Sequence, residues 1–218
     1  MLARLNRPAL LAGMALTAML TLPAHAADET AGAPAGDPVL GQKKFYTCVG
    51  CHGIDDYKNA YPDYSVPRLR HQHAEYIVSA LQEYKSGERP HATMHAQASS
   101  LSDQDMRDIA AYLQGGDAIK PTATIVGTAP AQVAACGACH GENGLGVAAT
   151  MSPKPPILAG QHVDYLEQAL ITYHNGRRKN VVMDGMAQLL KTDADIKIIA
   201  AYFADQPSAL ATAKTTSK

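Results

Sequence analysis

Bulky aromatic side chains are scarce in this 218-residue sequence: tryptophan is absent, phenylalanine occurs twice, and aromatics make up 6% of the whole. Small domains built from such a chain lack apolar bulk of their own and call for a further apolar component or a covalent staple. Cysteine is equally sparse, four residues in all, which excludes a disulfide-dense scaffold. Neither charge sign is in excess. Nineteen Lys and Arg face 20 Asp and Glu, and setting aside Arg4 and Arg7 leaves 17 basic residues, a balance of about −3. That excludes the basic footprint of a nucleic-acid surface, and unless the leading apolar segment is kept uncleaved as an anchor, membrane association is peripheral if it occurs at all. Beyond the first 26 residues no apolar stretch approaches membrane-spanning length.

Those first residues form a unit of their own. Met1–Arg7 is basic, Ala9–Leu22 is apolar but short, and Ala24-His25-Ala26 is a small-residue cleavage pattern. This is the layout of a secretory signal peptide over 1–26, which places the mature chain in the periplasm.

The four cysteines fall into one pattern used twice. Cys48-Val49-Gly50-Cys51-His52 returns 88 positions later as Cys136-Gly137-Ala138-Cys139-His140. C-x-x-C-H is the attachment signature of haem c: two thiols one helical turn apart reach neighbouring edges of a porphyrin, and the next residue sits under the metal. The same C-x-x-C spacing serves thioredoxin-type dithiols and zinc half-sites. Neither of those needs the His and the downstream Met that each motif carries here. Two covalently bound haem c groups, through Cys48 and Cys51 and through Cys136 and Cys139, follow as the expected cofactors.

The repeat extends beyond the motifs. Pro67, Gln72, Tyr76, Ala80, Leu81, Tyr84, Gly87 and Arg89 return 89 positions later as Pro156, Gln161, Tyr165, Ala169, Leu170, Tyr173, Gly176 and Arg178. Ser102, Met106, Ile109 and Tyr112 return 90 later as Thr192, Ile196, Ile199 and Tyr202. The apolar spacing predicts helices over Leu40–Val49, over His73–Ser86 with Gly87 as C-cap, and after the capping-box start Ser102–Asp105. Met94 is expected in a loop between the last two. Phe45 and Tyr46 are matched only by Val133 and Ala134, so the first helix of the second half should be shorter and less well packed. The resulting layout is a flexible leader 27–38, a haem domain 39–114, a linker 115–130 rich in Gly and Pro, a second haem domain 131–207 and a flexible tail 208–218.

These blocks resemble the cytochrome c4 family of dihaem class I cytochromes c. The resemblance is carried by both C-x-x-C-H-G segments, by Pro156-Ile157-Leu158-Ala159-Gly160-Gln161-His162 with Tyr165 and Leu166, and by Leu101–Met106 with Ile109-Ala110-Ala111-Tyr112. It departs where Arg70-His71 replaces the usual Ala-Gly before Gln72. The resemblance implies an all-α fold of two tandem class I cytochrome c domains related by a pseudo-twofold. It implies His/Met ligation of each iron, a carbonyl of Pro67 or Pro156 behind each His, and electron transfer without catalysis.

The ligands expected on this basis are His52 and Met94 in the first domain and His140 and Met183 in the second. His91 and His95 compete with Met94. Met186 competes with Met183, but Met183 keeps the 89-residue displacement from Met94. A thioether opposite an imidazole fills both axial positions, so the iron changes valence without binding substrate. Arg89 and Arg178 are either propionate partners or solvated residues. The expected role is a shuttle from an electron-donor complex towards a terminal oxidase. The rival roles are the electron-accepting subunit of a dehydrogenase, such as flavocytochrome c sulfide dehydrogenase, and a dihaem peroxidase, which would need an open iron.

Overall fold

The computed structural model describes residues 35–116, 124–146 and 151–214, which belong to one packed unit. The signal peptide 1–26 and parts of the leader, linker and tail lie outside the described residues. Among the described residues the regular structure is helical, with only isolated bridges between extended segments, and no helix is long and apolar enough to cross a membrane.

Helix α1, Pro38–Lys44, is started by Asp37, whose carboxylate accepts the Val39 and Leu40 N–H groups, while Pro38 has no N–H to leave unsatisfied. The chain then tightens into a 3-10 turn, Phe45–Thr47, before α2, Val49–His52. The helix expected over Leu40–Val49 is therefore broken, and Phe45 turns into the core with its ring 5.6 Å from Tyr112. Helix α3, Ala74–Ser86, ends at Gly87, whose φ of 85° is open to glycine with little strain. Met94 lies not in a loop but in a short helix, α4, Ala92–Ser99, capped by the His91 ring, which accepts the Met94 N–H. Histidine is an uncommon cap, and the stretch has almost no apolar periodicity to betray a helix. Helix α5, Asp103–Gln114, carries the Ser102–Asp105 capping box read from the sequence.

The second half repeats this order with α6, Ala134–His140, α7, Val163–His174, α8, Val181–Ala187, and α9, Asp193–Ala204. It enters its motif through a 3-10 turn, Ala131–Val133, with no counterpart of α1 among the described residues. Val133 is nonetheless fully buried against Phe203 and Leu166, so the looser packing expected there is absent at this residue.

Helix α1 is held on α5 by two devices. A Cβ at Gly41 would fall 1.9 Å from the Asp108 carbonyl, so only glycine permits the approach. The buried Asp108 carboxylate accepts from the Asp37 N–H at 2.8 Å, from Gln104 at 2.8 Å and from Lys44 at 2.6 Å. The position 90 residues on is Ile198, so the second domain has no such clamp.

Arg70 and His71 keep the backbone path of the second half at some strain. His71 takes a φ of 66°, matching the 67° of its counterpart Gly160. The tail also departs from expectation. Arg70 and Ala211 exchange both backbone hydrogen bonds, Ala213 is fully buried in the first core, and its N–H donates to the His52 carbonyl at 2.9 Å. The chain end, expected to be flexible, thus returns through residue 214 to close the first haem motif.

Asp108→Ala should lower unfolding free energy by about 2–4 kcal/mol, since it strands three donors at a buried site. Burial pushes the Asp108 carboxyl up, but the hydrogen bonds from Lys44, Asp37 and Gln104 outweigh it and hold the group below the usual carboxylate range. Its contribution is therefore complete above the unfolded value of about 4 and is lost as pH falls further towards the folded one. Denaturant titrations from pH 7 down to 3 should show the wild type losing stability in that window and the variant losing less.

Candidate haem sites and the domain interface

In each domain a short helix delivers the motif. Cys48 closes the 3-10 turn, Cys51 and His52 lie on α2, and Cys136, Cys139 and His140 lie on α6. All four thiols are half-buried and unpaired; burial pushes Cys48 and Cys136 up, so both are neutral at pH 7. Among the described residues no three His, Cys, Asp or Glu side chains converge as a metal site of their own, as zinc ligands pooled from both motifs would.

The two histidines are buried, and each is oriented in the same way. His52 Nδ1 lies 3.1 Å from the Pro67 carbonyl, and His140 Nδ1 lies 3.1 Å from the Pro156 carbonyl. A carbonyl oxygen only accepts, so Nδ1 carries the proton and Nε2 keeps the lone pair. Burial pushes His52 down to about 4 and His140 in the same direction, with the proline carbonyls opposing. Both rings are neutral at pH 7, the form that binds a metal.

A cavity of about 280 Å³ has Cys136, Cys139 and His140 together with Met183 and Met186 in its walls, and the first domain contributes Pro67, Gln72, Tyr76 and Glu83 to its lining. In the first domain, His91, which caps the Met94 helix, stands near enough to His52 to depress its protonation. Met94 and Met183 occupy equivalent places: each is the third residue of its helix, and each N–H is taken by the cap, His91 at 3.2 Å and Asn180 at 3.0 Å. His95 Nδ1 lies 2.8 Å from the Tyr84 carbonyl.

Arg89 and Arg178 are not solvated. Both are buried, and each guanidinium lies 4.4 Å from a tyrosine ring, Tyr84 and Tyr173 respectively. Arg89 donates to Tyr165 Oη at 2.6 Å, and Arg178 donates to Glu83 at 3.1 Å, both across the domain boundary. Burial would raise the Tyr76 phenol, but the two guanidiniums overcome it and bring it down to about 8; Tyr165 is driven up, mainly by burial. Arg178 borders the cavity, and its buried Nε makes no hydrogen bond to protein. That donor, the apolar walls, the paired thiols and the neutral imidazole fit a covalently bound haem, to which the Arg178 Nε would offer a hydrogen bond.

The interface is built from reciprocal pairs. Gln72 takes the backbone N–H of Ile157 at 2.8 Å and gives to its carbonyl at 3.0 Å; Gln161 does the same with Arg68, at 2.9 and 3.0 Å. Ser65 donates to Asp164, and Lys154 N–H donates to Glu75. In every case the two partners are exchanged by a displacement of 89, which is a pseudo-twofold axis written in hydrogen bonds. Glu83 breaks it, since its counterpart is Thr172. The roles of Gln72, Gln161, Glu83, Tyr76 and Tyr165 were not read from the sequence. The available signal was the return of uncharged polar residues at the head of otherwise apolar helices.

Known proteins show the same design. The sequence pattern of the cytochrome c family is matched twice, by residues 39–117 and 127–206. Cytochrome c4 of Pseudomonas aeruginosa is 32% identical over 214 residues, covering 88% of this chain and 96% of that protein. A thiosulfate dehydrogenase electron acceptor of Stutzerimonas stutzeri is 32% identical over 72% of this chain and 78% of its own. The crystal structure of reduced cytochrome c4 from Pseudomonas stutzeri superimposes with a TM-score of 0.58 at 30% identity, covering 79% of this chain and all of that one. Two haem motifs, two family matches and a shared two-domain helical fold have one reading: this chain belongs to the cytochrome c family, among the dihaem cytochromes c4, electron-transfer proteins that each bind two haem c covalently.

Proposed function

We propose that this dihaem carrier works in the periplasm as a freely diffusing shuttle between respiratory partners, delivering electrons towards a terminal oxidase. We take the two haem domains as residues 39–114 and 131–207. The observation that supports the reading is a buried neutral histidine fixed through Nδ1 in each domain, and a methionine at the third position of the short helix that follows.

Bound haem supplies a one-electron couple at iron, and the protein decides what that couple can do. His52 and His140 offer Nε2, and the proline carbonyls keep their rings from turning. Met94 and Met183 would supply thioether ligands to the bound haem, which would raise its potential and leave no site for oxygen or peroxide. Met186, on the same cavity wall one helical turn from Met183, is a soft apolar contact. The apolar walls exclude water, so little solvent must reorganise when the charge changes. A second reading, the electron acceptor of a dehydrogenase, is favoured by the similarity to the thiosulfate dehydrogenase electron acceptor.

Denaturing mass spectrometry of the mature protein should give a chain starting near Ala27 plus two haem masses. Met183→Leu should remove half of the weak far-red thioether-to-ferric band and lower one midpoint potential markedly, whereas Met186→Leu should leave both in place. The reverse result would move the ligand to Met186. Partner assignment is read by stopped flow. The reduced protein should be oxidised rapidly by membranes holding a terminal oxidase, and reduction by thiosulfate dehydrogenase with thiosulfate should be slow by comparison. A fast second reaction and a slow first would favour the dehydrogenase role.

A further inference from the structure

One peptide group in each domain is engaged at both ends. The carbonyl of the Pro67–Arg68 peptide accepts from His52 Nδ1 at 3.1 Å, and the N–H of that same peptide donates to Gln161 Oε1, in the other domain, at 2.9 Å. The Pro156–Ile157 peptide accepts from His140 at 3.1 Å and donates to Gln72 Oε1, in the first domain, at 2.8 Å. Both glutamines are almost fully buried, 2% and 4% exposed. Their amides have one possible orientation. Gln161 Oε1 also accepts the His162 N–H at 3.1 Å while its Nε2 gives to the Arg68 carbonyl; Gln72 Oε1 also accepts the His73 N–H at 3.0 Å while its Nε2 gives to the Ile157 carbonyl. Neither amide can flip without setting N–H against N–H and C=O against C=O.

We propose that Gln161 is a positioning residue for His52, and Gln72 for His140, so that each domain sets the axial imidazole of the other. This rests on the histidine ligation proposed above. Hydrogen bonds in series polarise one another. An acceptor on the N–H of a peptide makes its carbonyl oxygen a stronger acceptor, which draws the Nδ1 proton and enriches Nε2. A more basic Nε2 favours the ferric iron and lowers the potential. The glutamine also fixes the peptide in space, and with it the plane in which the histidine ring lies. The link is reciprocal by symmetry: each iron's ligand is held by a residue whose own domain carries the other iron.

The test replaces each amide by an apolar side chain of similar volume, Gln161→Met and Gln72→Met, in the full haem-loaded protein. Both midpoints are read by spectroelectrochemistry, and the two Nδ1 protons by NMR of the reduced, diamagnetic state. Gln161→Met should raise the potential of the first haem and move the His52 Nδ1 proton upfield, with His140 and its haem unchanged. Gln72→Met should give the mirror image. The expected size is about a two- to fivefold change in one reduction equilibrium, where tenfold corresponds to ~59 mV for one electron. Equal shifts at both haems, a shift only at the haem of the mutated domain, or no shift in a folded variant would each overturn the proposal. Should a variant fail to load haem, the wild type decides: a scalar coupling across the hydrogen bond from Arg68 N to the Gln161 side-chain carbon supports the relay, and its absence refutes it. Failure of the ligation reading itself is separable, because it would show as a high-spin haem in the wild type.

Discussion

The carbonyl that orients the histidine of each haem motif belongs to a peptide that the opposite domain grips. Pro67 and Pro156 lie in the loop after each haem motif, and the N–H of the peptide that follows each meets a glutamine of the partner domain. The glutamine amides meet those peptides with two hydrogen bonds apiece, four in all, each worth about 1 kcal/mol net in a site closed to water. Haem ligation and domain docking are therefore not separate problems. Displacing one domain would loosen a histidine in the other, and this constraint binds two small domains into one unit.

Around that seam the duplication is preserved where it serves both halves and abandoned where it does not. The first domain keeps α1, locked onto α5 through Gly41 and the Asp108 carboxylate; the second has no such helix among the described residues. In place of symmetry the chain end crosses back, buries Ala213 in the first core and satisfies the His52 carbonyl. The Arg178–Glu83 pair is the other break: a buried guanidinium of one domain is balanced by a carboxylate of the other, while Arg89 meets phenols. Breaking such a pair is costly, because the remaining charge has no water to turn to.

Much of this was legible in the sequence. The haem motifs, the 89-residue displacement and the capping box at Ser102 each carry a mechanism that local chemistry enforces, and the helices α3, α5, α7 and α9 follow from them. The placement of Met94 and Met183 at the same step of α4 and α8 agrees with counting along the repeat. What escaped was set by tertiary contact. A histidine cap made a helix of the Met94 segment where apolar periodicity was nearly absent. The tail, polar and small, gave no sign that a backbone pairing with Arg70 would hold it. Gln72 and Gln161 were visible as repeats, but their task depends on a facing domain that no local pattern encodes.

The central claim is that the reciprocal amide seam makes two haem domains a single cooperative structure. Differential scanning calorimetry of the intact haem-loaded protein tests it most directly. The account predicts one transition whose calorimetric and van't Hoff enthalpies agree for the whole folded chain. Two resolved transitions, each with the enthalpy of a single domain, would show the domains to be independent and would contradict it.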